Sequence, residues 1–115
     1  MILLLSDDLM DASKTIAFAR AAGVSVIQVK TVEALLQTAE QQSPSCVILD
    51  LQCPGLSVAE LLRRLKKGDR PPRVIAYGSH VDAARLKAAR EAGCDEVMPR
   101  SQYFESIPGI VEGGG

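Results

Sequence analysis

The sequence predicts an α/β fold built as (βα)5, a parallel five-stranded sheet with helices on both faces. Three observations carry that expectation. Five short apolar runs recur at near-regular spacing through the 115 residues. The runs are almost continuously apolar rather than alternating, as strands covered on both faces are. The segments between them place apolar residues on one side at helical spacing.

The first strand is Ile2 to Ser6, which runs into Asp7-Asp8. A helix from Leu9 to Ala22 follows, with Gly23 just past its end, where a left-handed residue is favoured. Val24 to Val29 forms the second strand. Val32, Leu35, Leu36 and Ala39 fall at i, i+3, i+4 and i+7 and give the second helix. The third strand, Cys46 to Leu49, ends in Asp50. Ser57 with Glu60 reads as a capping box opening the third helix, where Val58, Leu61, Leu62 and Leu65 repeat the same spacing. Pro71-Pro72 forces an extended entry into the fourth strand, Arg73 to Tyr77. Ser79 with Asp82 is a second capping box, for a helix from His80 to Ala92 closed by Gly93. Glu96 to Met98 is the fifth strand. The last helix covers Tyr103 to Val111, with Pro108 expected to limit its length. Right-handed crossovers leave few topologies for five such units, and the commonest is the flavodoxin-like order 2-1-3-4-5. Residues 1–112 form one domain; Gly113-Gly114-Gly115 reads as a frayed end or the start of a linker.

Composition narrows the function classes. An apolar fraction of 47% with 23% charged residues is that of a soluble globular domain. A net charge of −1 argues against a nucleic-acid module, which is usually basic. No stretch approaches the roughly 20 apolar residues of a membrane span. Ile2 to Leu5 is too short and lacks the basic flank of a signal peptide, so a cytoplasmic protein is expected. Cys46, Cys53 and Cys94 have no metal-ligand spacing and read as reduced thiols.

The order 2-1-3-4-5 makes the first and third strands neighbours, so Asp7, Asp8 and Asp50 converge at the carboxyl edge, where open α/β sheets bind ligands. Two carboxylates about 5 Å apart repel by roughly 3 kcal/mol at an effective dielectric of about 20. A hard cation offsets this, and oxygen-only ligands suit magnesium, calcium or manganese. Taken alone, Asp7 or Asp8 reads as a cap of the first helix; the conjunction with Asp50 favours a metal. A flavin or nucleotide site would need a glycine-rich phosphate loop, and no Gly-x-Gly-x-x-Gly follows any strand. A phosphatase with an aspartate nucleophile would need Asp-x-Asp, whereas Asp50 is followed by Leu51-Gln52.

Ser6-Asp7-Asp8, Leu49-Asp50-Leu51 with Pro54-Gly55, and Glu91-Ala92-Gly93, in this order and spacing, resemble the response-regulator receiver domain of two-component signalling. The resemblance covers nearly the whole chain. It implies Asp50 as phosphoacceptor and Mg2+ held by Asp7, Asp8, Asp50 and the backbone carbonyl of Gln52. It implies a sensor histidine kinase, a phosphotransfer protein or another signalling protein as partner. Helices four and five become the expected contact surface, including for a second copy of the chain. Beyond phosphoryl transfer to its own Asp50, no enzyme activity is implied.

The family pattern breaks at three positions. The hydroxyl residue ending the fourth strand falls on Gly78, which has no side chain to offer; Ser79 is the neighbouring substitute. Losing one hydrogen bond to a charged group costs about 1.5–3 kcal/mol. The lysine after the fifth strand falls on Arg100, which keeps the charge at a different reach, whereas a one-residue gap would put Met98 there. The aromatic of the fifth strand falls on Val97, so no two-state element couples Asp50 to the outer face. Tyr77 reads as a core residue, His80 as a surface residue, and Arg63-Arg64 with Lys66-Lys67 as the solvated face of helix three. Two readings follow: a divergent receiver phosphorylated on Asp50, and a pseudo-receiver that signals by protein contact alone.

Overall fold

The computed structural model describes residues 1–113. Its elements alternate along the chain as β1 (Ile2–Leu5), α1 (Leu9–Ala21), β2 (Val26–Val29), α2 (Val32–Gln42), β3 (Cys46–Asp50), α3 (Val58–Leu65), β4 (Arg73–Gly78), α4 (Ala83–Ala92), β5 (Glu96–Pro99) and α5 (Arg100–Gly113). The five strands form one parallel sheet in the order β2-β1-β3-β4-β5. This is the flavodoxin-like architecture expected from the apolar runs.

Alternation along the strands divides the core in two. Leu3, Leu5, Val47, Leu49, Val74 and Ala76 face α2, α3 and α4, where they pack with Leu35, Leu61, Leu62, Leu65 and Leu86. Ile2, Leu4, Ile48, Ile75 and Tyr77 face α1 and α5 and meet Ala12, Ala19, Tyr103, Ile107 and Ile110. Strands β1 and β3 are buried along their whole length, which is why they carry no polar alternation.

Element boundaries differ from the sequence expectation where local bonds compete. The fourth helix starts at Ala83, capped by Asp82, whose side chain accepts from Arg85 N. Ser79 does not cap it; residues 79 to 82 close a turn through Asp82 N to Ser79 O. Ser57 stands at the N-cap of α3 but makes no side-chain cap bond, and Glu60 pairs with Arg63 instead of completing a box. The fifth helix begins three residues early, directly after β5, and continues through Pro108 to Gly113. Buried Tyr103, Ile107, Ile110 and Val111 hold both halves of α5 on the sheet, which offsets the backbone bond that proline removes. Gly93 takes the left-handed conformation at φ 106° that closes α4. Of the terminal glycines, Gly113 ends α5, and Gly114-Gly115 lie outside the described residues.

Candidate functional site

Strands β1 and β3 pair from Ile2 opposite Cys46 to Leu5 opposite Leu49. One step further, that register sets Ser6 opposite Asp50, and the two side chains bond across the sheet. Ser6 Oγ donates to Asp50 Oδ2 at 3.0 Å and accepts from Asp8 N at 3.1 Å. The other oxygen of Asp50, Oδ1, accepts from Gln52 N at 3.0 Å. Asp50 is 2% exposed and Ser6 fully buried. The residue meeting Asp50 is thus a serine, and its signal in the sequence was the strand register rather than a motif.

The acids expected to join Asp50 are arranged otherwise. Asp8 is the N-cap of α1, its Oδ1 accepting from Asp11 N at 3.0 Å, and Asp7 is exposed. Among the described residues, no group of three or more His, Cys, Asp or Glu is disposed to hold a metal ion. The expected convergence of Asp7, Asp8 and Asp50 as a ligand set is therefore not formed. In this arrangement Asp8 Oδ1 is engaged as the helix cap and Asp50 Oδ2 accepts from Ser6, and the side-chain carboxylates do not form a three-ligand cluster for a divalent ion among the described residues.

A cation does approach Asp50, and it belongs to the chain. Arg100, the first residue of α5, brings Nη2 to 3.8 Å from Asp50 Oδ1 and Nε to 3.3 Å from Asp11 Oδ2. Its guanidinium carbon lies 5.7 Å from the centre of the Tyr77 ring. Met98, the alternative occupant of this position, is buried among Tyr77, Tyr103 and Ile107 on the α1–α5 side.

Asp11 is the residue that sequence reading missed. It lies in the first turn of α1, is 2% exposed, and accepts from Tyr77 Oη at 2.9 Å. Burial raises its pKa above the ordinary carboxylate value, while the Tyr77 hydrogen bond and the Arg100 charge pull it back down. Tyr77 is wholly buried, as expected of a core residue, but its hydroxyl also lies 3.5 Å from Ser6 Oγ. Its ring stacks on Tyr103 with centroids 4.2 Å apart and planes inclined by 7°. Thr15 donates to Asp11 O at 2.9 Å, so the 2.6 Å contact between Thr15 Oγ1 and Tyr103 Oη has tyrosine as donor. Desolvation holds both tyrosine hydroxyls protonated, well above their ordinary pKa. No short motif announces this network, because its members are 66 and 71 positions apart.

The remaining expected positions fall around this centre. Gly78 ends β4, and a Cβ there would touch Leu51 at 3.4 Å and Leu86 at 3.5 Å, so apolar packing surrounds the place of the missing hydroxyl. Ser79 Oγ accepts only a long bond, 3.4 Å, from Val81 N. Gln52 is exposed, and the carbonyl of Leu51 before it accepts from Arg85 Nη1 at 3.1 Å. Val97 packs at the edge of the α2–α4 core. Cys53 is 6% exposed; burial is the largest cause raising its thiol pKa, followed by the charges of Asp7 and Asp50. His80 is exposed. Among the described residues no helix is long and apolar enough to cross a membrane.

Comparison with known proteins agrees with the fold. The solved receiver domain of a response regulator from Bermanella marisrubri superposes with a TM-score of 0.82 at 20% identity, covering 98% of this chain and 95% of that one. The receiver domain of the Pseudomonas aeruginosa sensor histidine kinase PA1611, solved with magnesium in its active-site cleft, gives 0.79 at 19% identity over 98% and 94%. The transcriptional activator protein ExaE of Pseudomonas putida is 31% identical over 71 residues, which is 62% of this chain and 33% of that protein. The chain thus spans about a third of that relative's length. The model of the response regulator receiver domain matches residues 2–111. On that match, over nearly its whole length, the chain belongs to the response regulator receiver domain family of two-component signalling.

Proposed function

We propose that this receiver domain transmits its signal by protein contact, without phosphoryl transfer to Asp50. The observation that supports this reading most is the Arg100 guanidinium beside Asp50 and Asp11, where a metal-dependent site needs a divalent cation. A carboxylate attacks a phosphoryl group when a metal neutralises the repulsion between the two anions and aligns the displacement. Here both Asp50 oxygens already accept hydrogen bonds, and Gly78 brings no hydroxyl to the edge. The partner class is another signalling protein, with α4 and α5 as the expected contact face. Magnesium bound in the cleft of the PA1611 receiver domain supports the second reading, a phosphoacceptor Asp50 with Asp7, Asp8 and the Gln52 carbonyl as ligands. Intact mass after incubation with acetyl phosphate and Mg2+ separates the two. The contact reading predicts no added phosphoryl group. Uptake in the wild type that disappears in Asp50→Asn establishes the second reading instead.

A further inference from the structure

Asp11 has no place in the metal chemistry of the edge, yet it is buried and makes the closest charged contact to Arg100. Arg100 sits at the first position of α5, where the helix dipole disfavours a cation. Something must hold it there. Three groups face it: the Asp11 carboxylate at 3.3 Å, the Asp50 carboxylate at 3.8 Å and the Tyr77 ring at 5.7 Å. Its Nε is buried and, among the described residues, has no partner in hydrogen-bond geometry, so the ion pair to Asp11 is what compensates it. Asp11 in turn is fixed by Tyr77 Oη at 2.9 Å, and the stack of Tyr77 on Tyr103 fixes that ring.

We propose that Asp11 is a positioning residue that makes Arg100 the resident counter-ion of Asp50, so that this edge carries its own cation in place of a divalent metal. The Asp11, Tyr77, Arg100 and Asp50 side chains tie α1, β4, α5 and β3 together at one point. Asp50 then has a positive group of the chain itself beside it at the crowded edge. This rests on the contact reading and fails separately from it: equal Mg2+ responses with no phosphoryl uptake would overturn the proposal and leave the contact reading standing.

The test is thermal unfolding of the wild type, Arg100→Gln, Asp11→Asn and the double variant, each with and without Mg2+. Arg100→Gln leaves two buried carboxylates without their cation; because the Arg100 side chain is itself 35% exposed, solvent screening keeps the loss modest, and the Tm falls by about 4–8 °C. It also gains a Mg2+-dependent rise in Tm that the wild type lacks, which a merely structural role for Arg100 would not produce. Adding Asp11→Asn to Arg100→Gln restores part of the lost Tm, because one of the stranded charges is gone. Equal Mg2+ responses in wild type and Arg100→Gln, or losses in the two single variants that simply add, overturn the proposal. The Arg100 Nε–Hε resonance supplies a second measurement that does not depend on Arg100→Gln folding. Its chemical shift moves in Asp11→Asn, where the facing charge is removed; an unchanged shift overturns the proposal as well.

Discussion

At the scale of single residues, the site turns on groups of small size and fixed position. Ser6 rather than an acid stands opposite Asp50 across the β1–β3 pair, so Asp50 meets a hydroxyl there rather than a second charge. Tyr77 contributes through its oxygen as well as its ring. Tyr77→Phe keeps the stack on Tyr103 and removes the donor to Asp11, and denaturant titration should show a loss of about 1–3 kcal/mol. Gly78 is different, because the space beside it is ordinary van der Waals room. Gly78→Ser is expected to fold with stability within about 1 kcal/mol of wild type, since relief of glycine's backbone entropy in a strand offsets the closer contact to Leu51. A larger loss would show that the β4 end is tighter than its geometry. Burial pushes the Cys46 and Cys94 thiols up to about 11. Both should therefore alkylate far more slowly than a free thiol at neutral pH, and mass spectrometry after iodoacetamide treatment reads this directly.

At the scale of elements, side chains reach across from one segment to fix the end of another. Asp95, before β5, accepts from Val74 N at 2.8 Å and pairs with Lys66, just past α3, at 2.8 Å. The Lys66 hydrogen bond, then the backbone bond, hold its pKa below the ordinary carboxylate value. A lowered folded pKa means stability that is present above the unfolded value of about 4 and is lost as pH falls through the folded one. Wild type should accordingly lose stability below about pH 4 faster than Asp95→Asn does, by thermal unfolding across pH. Because the Asp95 side chain is 42% exposed, solvent screening keeps the effect under about 1 kcal/mol. The boundary of α5 shows the same principle with the opposite outcome for sequence reading. Pro108 argued for a short helix starting at Tyr103, but four buried residues on one face and the immediate turn from Pro99 into Arg100 carry the helix over 14 residues.

At the scale of the whole molecule, strand positions, helix positions and sheet order were legible because the central strands β1, β3 and β4 are buried on both faces and write themselves as apolar runs, with shorter, half-buried apolar runs for the edge strands β2 and β5. Asp50 and Arg100 were legible too, by their spacing from strand ends and from Gly93. Asp11, Tyr77 and the role of Ser6 were not, since a hydrogen bond between residues 11 and 77 follows from how α1 lies against β4, which no local pattern encodes. How the three acids are disposed was not legible for a related reason: placing them at one edge does not say that Asp8 will cap α1. The resulting domain keeps the receiver fold and neutralises Asp50 from within. A crystal structure grown in excess magnesium chloride tests this most directly. The account predicts Arg100 between Asp11 and Asp50 with no metal bound to Asp50; magnesium coordinated by Asp50 and Asp7 or Asp8, with Arg100 turned out to solvent, would contradict it.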